Sequence, residues 1–147
     1  MINIHITCSP SKLLNYNENQ IKTIIKTVIK NEGVSKANIS IVFSDDNLIN
    51  KLKKDFFKID EYSDVVAFRL NDYINRNVEG EVYISVQRVF ENAKNYNEKR
   101  SKEISRVLIH GVLHLLNYKD KSKKEKIFMT KKENQYLNMV NWKFLYD

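Results

Sequence analysis

The chain has 147 residues, 42% of them hydrophobic, and a formal net charge of +7 at pH 7. This size predicts one domain with one core, and the lack of both a roughly 18-residue apolar run and a signal-peptide pattern predicts a cytoplasmic protein with no membrane partner. The positive charge favours a polyanionic partner such as a nucleic acid, although Lys, Asn and Ile abound along the whole chain, and the bias of an AT-rich genome explains that equally well.

The N-terminal part of the chain predicts a first strand–helix unit. Residues 2–6 alternate apolar and polar side chains, the period of a half-buried strand, and Pro10 breaks the pattern. The single cysteine, Cys8, has no partner for an internal disulfide, and its place in this run predicts a small buried hydrophobic side chain rather than a reactive thiol. Over residues 18–31 apolar side chains recur every three and four positions, which predicts a helix, and Gly33 stands where a left-handed C-terminal cap belongs.

The middle of the chain predicts the remainder of a sheet. Runs rich in β-branched residues are interpreted as strands, and polar clusters as turns. In chain order we predict a strand at 39–43, a short helix at 45–56, a strand at 65–68, a polar turn at 75–80, a strand at 81–85 and a helix through 89–93. Together these elements predict an α+β fold with a small mixed β-sheet of about four strands and helices packed on it.

Helices dominate the last third of the chain. One is predicted over 101–116 and is followed by a break. Ser122 and Glu125 match the capping box that opens a helix, which we predict to run through 127–137. No internal repeat, low-complexity linker or domain boundary is visible, so we interpret the whole chain, 1–147, as a single domain.

The segment from Val107 to Leu116 has no charged side chain, which predicts a central helix buried nearly all round. Two of the chain's three histidines, His110 and His114, lie within it. Residues four apart share one helix face with β-carbons about 6 Å apart, so both imidazoles can point at one metal ion about 2.0 to 2.1 Å from each nitrogen. The plainer alternative is two buried rings that are hydrogen-bonded to protein groups; a metal ion satisfies both in one step.

Three neighbouring residues strengthen the metal interpretation. A glycine inside a helix costs about 1 kcal/mol relative to alanine, so Gly111 indicates that something approaches the backbone closely. Asn117 tolerates the left-handed conformation, and a helix that ends there can fold the chain back over the histidine face. Asp120 then returns as a third ligand, and the open position of a tetrahedral site favours catalysis. Mixed nitrogen and oxygen ligands make one Zn²⁺ ion the first choice, with nickel, iron and manganese as alternatives.

Residues 110–120, HGVLHLLNYKD, resemble the signature H-G-x-L-H-L-x-G-Y-D-H of the YbeY family. Asn117 stands for the second glycine and keeps access to the left-handed turn, and Lys119 stands for the aspartate. Asp120 stands for the third histidine; it keeps a metal ligand, but its negative charge makes the ion less electrophilic and changes which metals suit the site. Further segments similar to the family are 63–68, 79–85, and Met129 with Glu133.

The resemblance implies a metal-dependent endoribonuclease that acts on single-stranded RNA. It also implies a role in maturation of the 3′ end of small-subunit (16S) ribosomal RNA and in ribosome quality control, so that ribosomal RNA and the ribosome are the expected partners. We hypothesise that the ion polarises a phosphodiester oxygen and lowers the pKa of its bound water. Either water or the 2′-hydroxyl of the RNA is then the nucleophile.

The sequence assigns no general base. Glu125 and Glu133 are candidates, but Glu125 also fits the capping box, and Glu133 also fits a partner of a metal ligand or a solvated face. The family commonly has an arginine where the nearest register here places Phe57. Tyr118 is either a base-stacking residue or part of the core. The basic residues that are candidates for RNA contacts are Arg69, Lys58, Arg106, Lys119 and Lys121.

Three other functions fit parts of this pattern. A zinc peptidase also has two histidines four apart on a helix, but its H-E-x-x-H motif places the general base where this chain has Gly111. Two histidines and a carboxylate also form the facial triad of non-haem iron oxygenases, whose ligands usually come from β-barrel strands. An alternative of another class is a non-catalytic RNA-binding assembly factor, in which the ion only pins Asp120 to the helix.

Overall fold

Four strands form one mixed sheet in the computed structural model, which describes residues 1–60 and 63–143. In chain order the strands are β1 (Ile2–Cys8), β2 (Lys36–Ser44), β3 (Val65–Arg69) and β4 (Asn77–Ser85). Across the sheet the order is β1-β2-β4-β3, with β1, β2 and β4 parallel and the edge strand β3 antiparallel to β4. The predicted α+β class and the four-stranded mixed sheet are confirmed.

The helices of the described ranges are α1 (Glu18–Asn31), α2 (Asp46–Leu52), α3 (Val86–Asn95), α4 (Arg100–Leu115) and α5 (Lys123–Met139). A π-helical turn, Lys53–Phe57, continues α2. Helix α4 packs against α1, α3 and α5 and against strands β3 and β4, so it is the central helix that the sequence predicts. None of the helices in the part of the chain described here is long and apolar enough to cross a membrane.

The core lies on the face of the sheet that α4 covers. Ile39 and Ile41 of β2 and Val82 and Ile84 of β4 are fully buried on this face. The residues that alternate with them, such as Glu79, are exposed or half-buried on the other face. A sheet with one covered face keeps this alternation of apolar and polar side chains, and it fixes the side on which the histidine helix lies.

Two strands begin earlier than the sequence predicts: β2 begins at Lys36 rather than at 39, and β4 begins before 81. Strand β4 begins at Asn77, although 75–80 has the composition of a turn. Asn77 and Glu79 are polar because they lie on the open face of the sheet. Gly80 lies beneath α4, where a Cβ would be 2.6 Å from Cδ2 of Leu115. The glycine at position 80 is therefore explained by close packing within a strand rather than by a turn.

Two smaller predictions also need correction. The helix predicted at 45–56 ends as an α-helix at Leu52, and the π-helical turn covers the rest. Cys8 is half-buried rather than buried, because it is the last residue of the edge strand β1, and its Sγ donates to the carbonyl of Pro10 at 3.4 Å.

Candidate metal centre

Helix α4 ends in a turn that reverses the chain over its own histidine face. Asn117 is left-handed, with φ of 73°. Its N–H donates to the carbonyl of His114, and the N–H of Tyr118 donates to that of Leu113, both at 3.0 Å. These two bonds form the Schellman motif that ends a helix at a left-handed residue. The turn predicted at Asn117 is therefore present, and it returns Asp120 to α4.

Three side-chain atoms meet beside this turn. Nε2 of His110 lies 2.9 Å from Nε2 of His114, and Oδ2 of Asp120 lies 3.2 Å from the first nitrogen and 3.4 Å from the second. Ligand atoms about 2.0 to 2.1 Å from a tetrahedral ion are about 3.3 Å apart, so these edges have the size of one face of a tetrahedral zinc site. The side chains are 21%, 28% and 37% exposed in the same order, which leaves the site open to solvent. The three residues can therefore hold one metal ion.

Gly111 lets α4 lie close to the sheet between the two histidines. A Cβ at this position would be 2.6 Å from Cγ1 of Val82 and 3.3 Å from Cγ2 of Val65. Val82 is fully buried and stiff, so a larger residue at 111 requires repacking. The close approach that the sequence predicts here comes from the sheet, and it leaves no room for the glutamate of a zinc peptidase.

The Nδ1 atom of each imidazole is hydrogen-bonded to a protein oxygen. Nδ1–H of His110 donates to Oε2 of Glu133 at 2.6 Å, and Nδ1–H of His114 donates to the carbonyl of Tyr118 at 2.9 Å. Because a carbonyl and a carboxylate only accept, these bonds place a proton on each Nδ1, and in the neutral rings both Nε2 lone pairs face the shared point. Two lone pairs and a carboxylate oxygen at such distances repel one another unless a proton or a metal ion lies among them.

Burial and the surrounding charges shift the pKa values of the two histidines in opposite directions. Burial by itself lowers the pKa of His110, but the hydrogen bond and charge of Glu133, with smaller contributions from Asp120 and Asp64, raise it overall. Burial, followed by the positive charge of His110, lowers the pKa of His114. The site therefore favours a positive charge on His110 and disfavours a second positive charge on His114.

Arg106 fixes the carboxylate of Glu133. Its Nη1 lies 3.5 Å from Oε1 of Glu133 and donates to Oδ1 of Asn134 at 3.1 Å, while its Nε lies 3.4 Å from Glu103. Both glutamates are buried, and burial raises the pKa of Glu103. Arg106, a candidate for RNA contacts, thus contacts Glu133 rather than the histidines, and Glu133 is the hydrogen-bond partner of His110.

Arg69, another candidate for RNA contacts, is engaged by the fold. Its Nη1 donates to the carbonyl of Leu115 at 2.7 Å, and its Nε donates to Oδ1 of Asn71 at 2.6 Å. Its Nη2 donates to the carbonyls of Asp72 and Asn75 at 3.0 and 2.9 Å. The guanidinium therefore joins the loop between β3 and β4 to the last turn of α4.

Lys58 and Phe57 lie at the end of the π-helical turn. Lys58 is left-handed, with φ of 59°, and its Nζ donates to the carbonyl of Asp55 at 3.3 Å. Phe57 stacks on Phe68 of β3, with ring centroids 5.6 Å apart and an interplanar angle of 17°. An aromatic cluster thus occupies the position where the family commonly has an arginine.

The remaining candidates lie between α4 and α5. Lys119 and Lys121 are exposed on either side of Asp120. Oε1 of Glu125 accepts from the N–H of Ser122 at 2.9 Å and completes the predicted capping box. Its carboxylate is therefore committed to the start of α5, whereas Glu133 is committed to His110.

Asp64 is a residue of the site that the sequence reasoning did not single out. It immediately precedes β3, and burial raises its pKa while the positive charge of His110 partly offsets that effect. The only signal in the sequence is an acidic residue directly before a buried strand that resembles the family.

Glu32, at the C-terminal end of α1, was also missed. It accepts hydrogen bonds from the hydroxyls of Tyr118 and Tyr136 and from Nζ of Lys132, the last at 3.3 Å. Its partners lie 86 to 104 residues further along the chain, so no local sequence pattern predicts these contacts. Glu32 supports the site indirectly, because Tyr118 holds His114.

The family model for endoribonuclease YbeY matches residues 5–141. A protein named endoribonuclease YbeY from Christiangramia forsetii is 34% identical over 84% of this chain and 85% of its own length. Another of that name from Chloroherpeton thalassium is 39% identical over 82% of this chain and 84% of its own length. The solution structure of TM1509 from Thermotoga maritima has a TM-score of 0.63 and 28% identity, and the match covers 94% of this chain and 87% of that one. The similarity thus spans the sheet and the metal centre alike.

Proposed function

The chain belongs to the YbeY family of endoribonucleases, and we propose on this premise that it cleaves single-stranded RNA at a metal centre formed by His110, His114 and Asp120. The whole chain, 1–147, is then one metallohydrolase domain. The family supports a hydrolytic site, and the partial exposure of the three side chains supports access for a polymeric substrate.

One observation carries this proposal. Nε2 of His110, Nε2 of His114 and Oδ2 of Asp120 lie 2.9 to 3.4 Å apart, while both Nδ1 atoms are engaged elsewhere. With both imidazoles neutral, these three acceptors face one point and form a binding site for a cation. We propose Zn²⁺, one ion per chain, because the edges suit tetrahedral zinc and the ligands are two imidazoles and a carboxylate.

The protein's own groups set up the reaction. A divalent ion in this site supplies a Lewis acid that stabilises charge on the phosphodiester and acidifies water. Glu133 and the carbonyl of Tyr118 hold the two imidazoles in the tautomer that binds a cation. Either water or the 2′-hydroxyl of the substrate is the nucleophile in this proposal. Neither Glu125 nor Glu133 is assigned as its general base, since each is committed to another contact.

The proposed substrate is the small-subunit ribosomal RNA, and the proposed partner is the ribosome that carries it, in the cytoplasm. The family implies this role, and the net charge of +7 suits a polyanionic substrate. Lys58, Lys119 and Lys121 are exposed and are the proposed phosphate contacts. Arg69 and Arg106 are left out of this set because their guanidinium groups bind protein carbonyls and carboxylates.

The test compares wild type with His114→Ala and with His5→Ala, a control on the exposed third histidine in β1. Each purified protein is measured for zinc content by elemental analysis and for cleavage of a single-stranded and a fully paired RNA. We expect wild type and His5→Ala to hold about one ion and to cut the single strand in preference. His114→Ala should lose both the ion and the cleavage while remaining folded by circular dichroism.

Two results would contradict the proposal. Equal cleavage by wild type and His114→Ala would assign the nuclease to a contaminant. A wild type that binds zinc and RNA but cuts neither substrate would assign the chain to the class of non-catalytic assembly factors.

A further inference from the structure

We propose that the exposed ring of Phe128, stacked on Tyr118 and flanked by lysines, binds an unpaired nucleobase of the RNA next to the metal centre. This inference rests on the proposed function and deepens it, because it names the part of the substrate, an unpaired base, that the chain binds. The ligand class is a single-stranded RNA with one base splayed onto Phe128 and its phosphates on the lysines.

Phe128 is an exposed aromatic residue on α5, a helix whose apolar face packs on the core. Helix α5 buries Met129, Tyr136 and Leu137 in the core, whereas Phe128 is 50% and its neighbour Ile127 62% exposed. Two large apolar side chains at the water-facing side of a helix contribute little to folding. A ligand that covers them would gain the free energy of their burial.

The ring of Phe128 already takes part in one stack. Its centroid lies 5.9 Å from that of Tyr118, with an interplanar angle of 20°. Tyr118 is fixed in turn, because its hydroxyl donates to Glu32 and Nζ of Lys132 lies 5.8 Å from its ring centroid. Phe128 is therefore backed by a rigid aromatic surface, as in the stacking platforms that bind single-stranded nucleic acids.

The space in front of the ring suits a base and its phosphates. A surface cavity of about 570 Å³ lies here, within the range of small-molecule sites. Lys119, Lys124 and Lys131 line it, and Glu125 is the acidic residue in its wall. An excess of positive charge around an apolar ring favours a polyanion with planar bases over a protein segment.

The platform lies next to the proposed metal centre. The carbonyl of Tyr118 accepts from Nδ1–H of His114 at 2.9 Å, so one residue carries both the stack and a contact to a ligand. Asp120 follows two positions later, and the two Cα atoms are at most about 7 Å apart. A base on Phe128 would thus belong to a nucleotide close to the phosphate at the ion.

The test uses Phe128→Ala, with Phe128→Trp as the variant that restores a ring and Tyr96→Ala as the matched control. Tyr96 is an aromatic residue at the end of α3 that is 71% exposed, against 50% for Phe128, and it lines neither the cavity nor the metal centre. Zinc-loaded proteins are titrated with a fluorescent single-stranded RNA and with the same RNA carrying one abasic position. Turnover is measured on that RNA and on bis(p-nitrophenyl) phosphate, a diester without a base.

We expect Phe128→Ala to bind the RNA about 5- to 150-fold more weakly than wild type, the range observed for loss of one base–aromatic stack. Phe128→Trp and Tyr96→Ala should bind as wild type does, and the abasic RNA should reduce the effect of Phe128→Ala. Turnover of the small diester should be the same in all four proteins.

The inference is wrong if Phe128→Ala binds RNA as tightly as wild type, or if wild type does not bind the RNA. It is also wrong if the substitution dissociates a dimer without changing RNA affinity, because the patch is then a protein interface. Loss of diester turnover in Phe128→Ala would mean damage to the metal centre rather than loss of a base contact. Failure of the proposed function gives a different result, namely RNA binding that depends on Phe128 in a protein that cuts neither substrate.

Discussion

Each imidazole of the metal centre is oriented by a different kind of acceptor. His114 donates to a backbone carbonyl that no side-chain substitution removes, whereas His110 donates to the carboxylate of Glu133. Glu133 is 7% exposed and is held by Arg106 on its other oxygen. Of the two proposed histidine ligands, His110 is therefore the one whose orientation and basicity a single substitution can change.

We predict that Glu133→Gln weakens zinc binding about 10- to 100-fold, the usual cost of losing an outer partner of a histidine ligand. A neutral amide still accepts a hydrogen bond from Nδ1 but no longer makes the imidazole more basic. Competition with a chromophoric chelator at pH 7 measures the affinity.

The control for this substitution is Glu125→Gln. Glutamine also completes a capping box, so α5 should begin as before and zinc affinity should stay at the wild-type value. An unchanged affinity in Glu133→Gln would show that the 2.6 Å contact to His110 does not tune the ligand.

Residues of the site differ in how far the sequence predicts them. His110, His114 and the turn at Asn117 lie within one segment, so helical spacing and backbone propensity suffice to bring them together. Asp120 needs only that turn. Glu133 is 23 residues from His110, and its pairing depends on how α5 packs on α4, which spacing alone does not give.

At the scale of elements, the cluster around Glu32 joins the end of α1 to the turn after α4 and to α5. Burial by itself raises the pKa of Glu32, but hydrogen bonds from Tyr118 and Tyr136, and then the bond and charge of Lys132, lower it overall. The same contacts raise the pKa of Tyr118, after burial as the largest cause, to about 12. The cluster is thus more stable with Glu32 ionised than with Glu32 protonated.

We predict that Glu32→Gln destabilises the fold by about 1 to 3 kcal/mol at pH 7, the cost of weakening buried hydrogen bonds to a charged group. Because the folded-state pKa of Glu32 lies below its ordinary value of 4.5, its carboxylate stabilises the fold above that value. This contribution is lost as the pH falls through the folded-state pKa. Urea unfolding at a series of pH values from about 7 to 3 measures the difference between the two proteins.

The difference between wild type and Glu32→Gln should shrink as the pH falls below about 4.5, the ordinary pKa of glutamic acid. Glu18→Gln, which removes an exposed pair with Lys22 on the same helix, should change stability by less than about 0.5 kcal/mol. A difference that stays constant down to pH 3 would mean that the charge of Glu32 does not hold the three elements together.

Elements whose signals are local were predicted well. Helix α1 begins at Glu18 and ends at Asn31 as predicted, and Gly33 is left-handed with φ of 82°. The start of β4 was missed because which face of a strand is open depends on the helices that cover the sheet. The π-helical turn was missed because its residues have ordinary helical composition.

The proposed ion binds where elements from distant parts of the chain pack against one another. His110 and His114 come from α4, and Asp120 follows the turn that Tyr118 fixes to Glu32 of α1. The packing of α1 and α5 on α4 holds these groups in place, because Glu133 of α5 contacts His110 and Glu32 at the end of α1 contacts Tyr118. An ion that binds there stabilises the folded state and not the unfolded chain.

We therefore predict that zinc raises the thermal stability of the whole domain. With free zinc at 100 times its dissociation constant, the folded state gains about 2.7 kcal/mol, which is on the order of 5 to 10 °C in Tm for a chain of this length. Differential scanning calorimetry of chelator-treated protein, with and without added zinc, measures this shift.

Asp120→Ala separates the ion's contribution from that of the fold. The Asp120 side chain is 37% exposed and contacts the two imidazoles at 3.2 and 3.4 Å, so without zinc the variant should unfold at nearly the wild-type temperature. With zinc its Tm should rise by much less than that of wild type, because two ligands remain of three. An equal rise in both proteins would place the zinc elsewhere on the chain, and no rise in wild type would mean that the three atoms do not bind it.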